Sequence, residues 1–355
     1  MKYLDKTKPI REGEAFETAK VEAFLKGAIP GLQGTLTVEQ FPGGYSNLTY
    51  LLKVGTRELV FRRPPFGRKA KTAHDMGREY RIQKAIKPFF PYCPEPLAYA
   101  EDESIIGCPF YVMERIKGII LRRDLPEGLS LTPQKTRALC EKFIDVYAAL
   151  HHVDYKKAGL EGYGKPEGYV RRQVEGWSER YRSARTDDAP DFEPVMGWLH
   201  ARMPGESLAA SVIHNDYRFD NVVLDPLNPL EIIGVLDWEM ATIGDPLMDL
   251  GGALAYWVER ADPPNMQAIR LAPTHLEGMM TRRELVDRYA EKMALSIEHI
   301  DFYYCFGLFR LAVIAQQIYY RFYHGQTKDE RFKLTIFAVH VLEEAARRVI
   351  ARSDL

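Results

Sequence analysis

The stretch VIHNDYRFDNVVLD at residues 212–225, with GVLDWEMATIGDPLMDLG at 234–251, decides how this chain is read. Asp216 is followed five positions later by Asn221, and Asp237 stands sixteen residues further on. Apolar runs flank all three: SVI before His214, VVL after Asn221 and IIGVL before Asp237. That is the pattern of loops at the ends of buried strands. One carboxylate able to take a proton, plus an amide oxygen and a second carboxylate able to hold Mg²⁺, is the minimal kit for phosphoryl transfer from ATP. Asp216 is the candidate base. Asn221 and Asp237 are the candidate metal ligands, hard oxygen donors suited to a Mg²⁺ that shares the phosphates.

The neighbouring residues extend the same reading. Arg218, two after Asp216, alternates to the same side of the loop and reaches toward a transferred phosphoryl group. His214 is expected to pack and hydrogen-bond the loop rather than act as a second base. Val223 shares a face with Asn221 and is placed to floor an adenine pocket. Asp245 and Asp249 are expected to cap a helix starting near Pro246.

A nucleotide anchor is expected earlier, in ELVFRR. Strand alternation puts Val60 and Arg62 on one face, and Leu59, Phe61 and Arg63 on the other. With Val60 over adenine, Arg62 reaches the phosphates, and Glu79, seventeen residues on, pairs with it. In FYVMERI, Met113 supplies an apolar edge, and the backbone from Glu114 to Ile116 offers hydrogen bonds to adenine. The turn FPGGYSN at 41–47 lacks G-x-G-x-x-G and is a weak phosphate signal.

Bulk properties narrow the field. With 355 residues, 46% hydrophobic and 27% charged, the chain suits a globular protein of two lobes. Its 48 basic and 49 acidic residues give a net charge of −1, so no bulk field directs it to nucleic acid or a membrane surface. The four cysteines form no C-x-x-C pair and are expected to be buried apolar residues. The charged N-terminus does not resemble a signal peptide, and no apolar run suits a bilayer. A cytoplasmic location is expected.

Along the chain, residues 16–29 predict an amphipathic helix. LTVEQF, LTYLLKV, ELVFRR and SIIGCPFYVMERI predict strands, with a helix over 70–87 between them. Helices are predicted over 136–152, 301–323 and 329–352, and loops over 153–169 and 187–191. The expected division is 1–116, a nucleotide lobe, and 117–355, a catalytic and acceptor lobe.

In this order the pieces resemble the H-x-D-x-x-x-x-N loop and separate metal-binding Asp of protein kinases. From residue 25 to 350 the chain resembles the aminoglycoside phosphotransferase and choline kinase family, which shares that fold. The resemblance implies an α+β, bilobal protein-kinase-like fold. Its parts would be a small antiparallel-sheet N-lobe with one key helix and a larger, mainly helical C-lobe. It also implies ATP, Mg²⁺ and phosphorylation of a small-molecule hydroxyl. Carried over by position, Asp216 matches the catalytic Asp, Asn221 and Asp237 the metal ligands, and Glu79 the helix glutamate. LVFRRPP (59–65), GREYRIQKAI (77–86), VRRQVEGWSERY (170–181) and LFRLAVIAQQIYYR (308–321) resemble a narrower branch, the one fused to acyl-CoA dehydrogenases. That branch points to hydroxyacyl or related organic-acid acceptors.

Two positions depart from the wider fold. Arg62 stands where a lysine is usual, keeping the charge and adding a bidentate fork. Asn215 replaces the arginine common in protein kinases, which argues against switching by activation-loop phosphorylation. Candidate acceptor-pocket residues are Arg172, Gln173, Trp177, Tyr256, Gln317 and Arg321. Converging arginines favour an anionic acceptor over a polycationic one. The competing expectations are an aminoglycoside or amino-alcohol kinase, a non-catalytic nucleotide-binding module, and a Mg²⁺-dependent phosphohydrolase.

Overall fold

In a computed structural model the protein is described over residues 3–42, 47–65, 75–205, 210–327 and 329–355. The Gly-rich centre of FPGGYSN (43–46) and the start of the helix expected over 70–87 (70–74) lie outside the described residues. The chain divides into two compact units. The first gathers Met1–Ile120, Lys157–Leu160 and Asn221–Ala241; the second gathers Leu121–Lys156, Glu161–Asp220 and Thr242–Leu355. The segment carrying Asn221 and Asp237 thus packs with the N-terminal sheet.

In the first unit, five strands form an antiparallel sheet of order β1-β2-β3-β5-β4: β1 (Leu36–Gln40), β2 (Leu48–Val54), β3 (Arg57–Arg63), β4 (Pro96–Ala100) and β5 (Phe110–Glu114). The two-residue alternation of β3 divides the core as its sequence requires. Leu59 and Phe61 join Tyr50, Leu52, Phe110 and Val112 under helix α1 (Thr18–Ala28), which buries Val21 and Leu25. Val60, Tyr111 and Met113 face the other way, against Met76 of helix α2 (Met76–Ile86). Each fully buried side chain of this size contributes about 1.5–3 kcal/mol. Asp75 starts α2 by accepting the Arg78 amide at 2.8 Å. A second antiparallel pair, β7 (Val222–Leu224) and β8 (Ile232–Val235), joins the sheet region through the bridge Ile119↔Leu224. Gly118 permits that bridge, since a Cβ there would lie 2.2 Å from the Leu224 carbonyl oxygen.

The second unit is mainly helical: α3 (Pro133–His151), α4 (Tyr169–Ala184), α5 (Glu193–Ala201), α6 (Pro246–Tyr256), α7 (Pro264–Ala268), α8 (Arg282–Met293), α9 (Ile300–Tyr323) and α10 (Thr335–Arg352). One short antiparallel pair, β6 (Ser211–Ile213) and β9 (Thr242–Gly244), completes it. Helix α9 is apolar nearly all round, as a central helix should be, and Phe302, Phe306, Phe309 and Val313 are buried in the main cluster. Helices α6 and α9 cross at glycines: a Cβ on Gly307 would sit 2.0 Å from the Gly251 carbonyl oxygen. Gly307→Ala must part the two helices, and a loss of about 1–3 kcal/mol is expected in urea unfolding. Unchanged stability would show that the crossing is looser than described.

All four cysteines are free and buried. Among the described residues no helix is long and apolar enough to cross a membrane.

Candidate active site

The chemistry-bearing residues form one cluster in each unit. In the first unit, Arg62 extends from β3, the middle strand of the sheet, on the same side as α2. Its guanidinium lies 2.9 Å from Glu79 of α2, 2.9 Å from Asp237 and 3.2 Å from Glu239. Both terminal nitrogens donate to Asp237 Oδ1. Arg62 and Glu79 are buried, so neither is a solvated surface charge. Burial alone would lower the Arg62 pKa, but Glu79, Asp237 and Glu239 outweigh it and hold the group well above its ordinary value. Burial pushes the Glu79 carboxyl up, against the pull of Arg62. Asp237 takes a left-handed backbone, with φ 65°. Few residue types tolerate this geometry, Asp and Asn among them. Asn221 sits alongside, its carbonyl accepting the Leu236 amide at 2.7 Å.

In the second unit, the loop after β6 carries Asp216. Its carboxylate lies 3.3 Å from Arg218, whose guanidinium is also 3.1 Å from Asp220 and 5.0 Å over the Tyr256 ring. Burial, then the Asp216 charge, pushes the Tyr256 phenol well up, so it stays protonated and hydrogen-bonds Asp216. Burial likewise raises Asp220, against Arg218. His214 is fully buried and accepts the Asp216 amide at Nδ1, 3.3 Å away. Asn215 has φ 64°, a geometry asparagine tolerates better than arginine. Arg310 of α9, buried, donates to the Asn215 carbonyl at 2.8 Å and stacks 5.4 Å from the Trp177 ring. The Tyr169 phenol, hydrogen-bonded to Asn215, is pushed up to about 12 by burial.

Two helix-entry aspartates behave differently. Asp245 caps α6 as expected, accepting the Leu247 amide at 2.7 Å. Asp249 does not cap; it holds the loop, accepting the His214 amide at 2.8 Å and the Asn215 amide at 2.7 Å. His151 of α3 lies 3.2 Å from the same carboxylate and 2.5 Å from the Tyr289 hydroxyl. Burial would raise Asp249, yet the His151 hydrogen bond, the neighbouring His151 and His214 imidazoles and the His214 amide hold it below its usual value. A carboxyl lowered on folding stabilises above its unfolded pKa, and that stabilisation disappears as pH falls through the folded value. Asp249→Ala should therefore cost about 3 kcal/mol near neutrality, by leaving two amides without their acceptor. The deficit should shrink below the ordinary aspartate range. A deficit independent of pH would contradict this role.

The remaining expected site residues fall into groups. Val60 and Met113 are cross-strand partners in one apolar cluster, and Val223 is buried in β7 opposite Gly234. The Glu114 amide donates to the Glu95 carbonyl at 2.9 Å. Ile116 packs where a Cβ on Gly234 would lie, 2.6 Å from its Cδ1. Trp177 and Tyr256 join the Asp216 and Arg310 cluster, and Gln173 accepts the Trp177 indole N–H at 3.1 Å. Arg172 is exposed and turned back on the Lys165 and Glu167 carbonyls, closing the turn that starts α4. Gln317 and Arg321 are exposed on α9; Gln316, one position earlier, is the inward residue and donates to the Ala184 carbonyl at 2.9 Å. Glu239, His151 and Arg310 carry no signal in the sequence that marks them, and Asp249 is marked only as a cap.

The donor set fits Mg²⁺. Among the described residues no three His, Cys, Asp or Glu side chains group as a metal-holding cluster. Mg²⁺ is commonly held by one or two protein oxygens together with phosphates and water. Asn221 and Asp237 supply that kind of pair.

A sequence profile of the phosphotransferase enzyme family matches residues 37–285. Acyl-CoA dehydrogenase family member 10 of Mus musculus is 35% identical over 337 residues, 93% of this chain but 31% of that protein. The chain therefore spans about a third of that relative. The crystal structure of a putative aminoglycoside phosphotransferase from Ralstonia eutropha JMP134 is 30% identical, with a TM-score of 0.82 over 96% of this chain and all of that one. A thermostable mutant of an aminoglycoside phosphotransferase, in ternary complex with AMP-PNP and hygromycin B, is 16% identical with a TM-score of 0.57. It covers 94% of this chain and 99% of its own, and shares the fold. The α+β, protein-kinase-like architecture follows, and the chain belongs to the phosphotransferase enzyme family.

Proposed function

We propose that the chain transfers the γ-phosphoryl group of ATP to a hydroxyl on an anionic small molecule, such as a hydroxy acid or hydroxyacyl thioester. The observation that carries this reading is the set of cations around the Asp216 loop. Arg218 lies 3.3 Å from Asp216, and buried Arg310 is tied to the Asn215 carbonyl. An acceptor bearing a carboxylate or phosphate can pair with these two guanidiniums, in exchange for Asp216, Asp220 and the Asn215 carbonyl as their partners. In α9 the only acidic residue is Asp301, which gives a polyamine little to bind.

Each residue has a distinct task. Asp216 takes or orients the acceptor hydroxyl proton as the new O–P bond forms and the γ-phosphorus bond to the β,γ-bridging oxygen breaks, releasing ADP. The Tyr256 phenol fixes the orientation of Asp216. Arg62, backed by Glu79, grips nucleotide phosphates, and Val60, Met113 and Val223 offer apolar surface to the base. Asn221 and Asp237 would hold Mg²⁺, which would neutralise phosphate charge when bound. Arg62 would share Asp237 with that ion, because both of its terminal nitrogens donate to Oδ1.

The test is a mass-shift screen with ATP, Mg²⁺ and pooled hydroxy acids, hydroxyacyl-CoAs, amino alcohols and aminoglycosides. Addition of one phosphate to an anionic acceptor is expected. Comparable phosphorylation of aminoglycosides and hydroxy acids would overturn the acceptor class.

A further inference from the structure

Beyond the Asp216 cluster, the second unit contains an open cavity of about 750 Å³ lined by Arg123, Arg260, Gln267, Arg270, His275 and Glu277. Arg270 is more than nine-tenths buried. Its terminal nitrogens are used in the fold: one donates to the Arg123 carbonyl and, at 3.1 Å, to the Ala272 carbonyl, and the other meets Asp124 at 3.1 Å. Its Nε has no hydrogen-bond partner among the described residues, and the same is true of the buried His275 Nδ1. A buried polar nitrogen without a partner is costly to keep, so two in one cavity call for a ligand.

The charge around them is mainly positive. Arg123 reaches the Ala268 carbonyl at 3.2 Å, and Arg260 stands 3.8 Å from Glu277. The two carboxylates, Glu277 and Asp124, are both largely exposed, at 72% and 71%. Water therefore screens their hold on the arginines. Burial, and then the Arg270 charge, lowers the His275 pKa, which reports the same field.

We infer that this cavity is a second anion site, which binds a phosphate-bearing small molecule through Arg123, Arg260, Arg270 and His275. Phosphate fits the donors better than a lone carboxylate does. Its terminal oxygens can meet a guanidinium Nε, an imidazole N–H and a further arginine together, where a carboxylate has two oxygens. The volume is that of a small-molecule pocket. None of these residues belongs to the Arg62 or Asp216 clusters, so the site stands apart from the proposed transfer reaction.

Imidazole-labelled full-length chain provides a direct readout, with the His275 resonance identified by its loss in His275→Gln. Inorganic phosphate and then pyrophosphate are titrated at fixed pH, against sodium chloride of matched ionic strength. The His275 signal should move saturably with both phosphates and not with chloride. In Arg123→Gln/Arg260→Gln, whose altered residues are exposed, the midpoint should rise at least about tenfold with the melting temperature kept. Three results would overturn the inference: a His275 signal that follows chloride equally, one that stays still while other histidines move, or a double variant that titrates like the parent chain.

Discussion

Asp216→Asn is expected to cut turnover by about 10²–10⁴-fold, with nucleotide affinity and melting temperature essentially unchanged. The amide is the same size as the carboxylate, and its oxygen can still accept from Arg218 and from the Tyr256 phenol. What it cannot do is take the acceptor's proton. Arg62, Glu79 and Asp237, to which we assign nucleotide and metal binding, lie in the other unit, so calorimetric titration with a non-hydrolysable ATP analogue should be unaffected. Separate measurement of kcat and KM is the check. Wild-type kcat in this variant would remove Asp216 from the chemistry, and lost nucleotide binding would make its role structural.

The second large effect belongs to Arg62. Arg62→Ala leaves Glu79 buried at 1% side-chain exposure with no guanidinium beside it. Breaking a buried ion pair from one side costs about 3–5 kcal/mol. Without Arg62 the Glu79 carboxyl, already raised by burial, rises further. A carboxyl whose folded pKa lies above its unfolded value binds more protons in the folded state, so stability falls as pH rises between the two values. The deficit of Arg62→Ala, read by urea unfolding, should therefore be largest at neutral pH and shrink on acidification toward the ordinary carboxylate range. Arg62→Lys keeps the charge but loses the fork that reaches three carboxylates, so its deficit should be smaller. Equal stability of Arg62→Ala and wild type at neutral pH would mean that Glu79 finds another partner or water.

Local patterns were legible wherever the physics is local. The alternation of ELVFRR predicted which β3 side chains enter each core, and Val60, Arg62, Leu59 and Phe61 face as their positions require. Asp245 before Pro246 is a helix start that can be read from three residues. What could not be read depends on distant partners. Asp249 looks like part of the same helix start, but its acceptors' partners come from the loop at 214–215 and from His151, 98 residues earlier. Arg310 reaches Asn215 across 95 residues, and nothing in its own neighbourhood marks it.

The α9 candidates show a different limit. The helix was predicted nearly to its ends, but an almost uniformly apolar helix has no polar face to set its phase. Gln317 is exposed, and Gln316, one residue and about 100° away around the axis, points inward. The grouping of Asn221–Ala241 with the N-terminal sheet was equally invisible, because the segment follows the second unit's loop directly in sequence.

Transfer from ATP labelled at the γ-phosphate is the most direct test of phosphotransferase chemistry on an anionic hydroxyl acceptor. Purified chain is incubated with labelled ATP, Mg²⁺ and the pooled acceptors, and the products are separated by charge. Label is expected in a hydroxy acid or hydroxyacyl thioester in amounts that exceed released inorganic phosphate, and Asp216→Asn should slow its appearance by about 10²–10⁴-fold. Label found solely as inorganic phosphate, or left entirely in ATP across every acceptor class, would contradict the account.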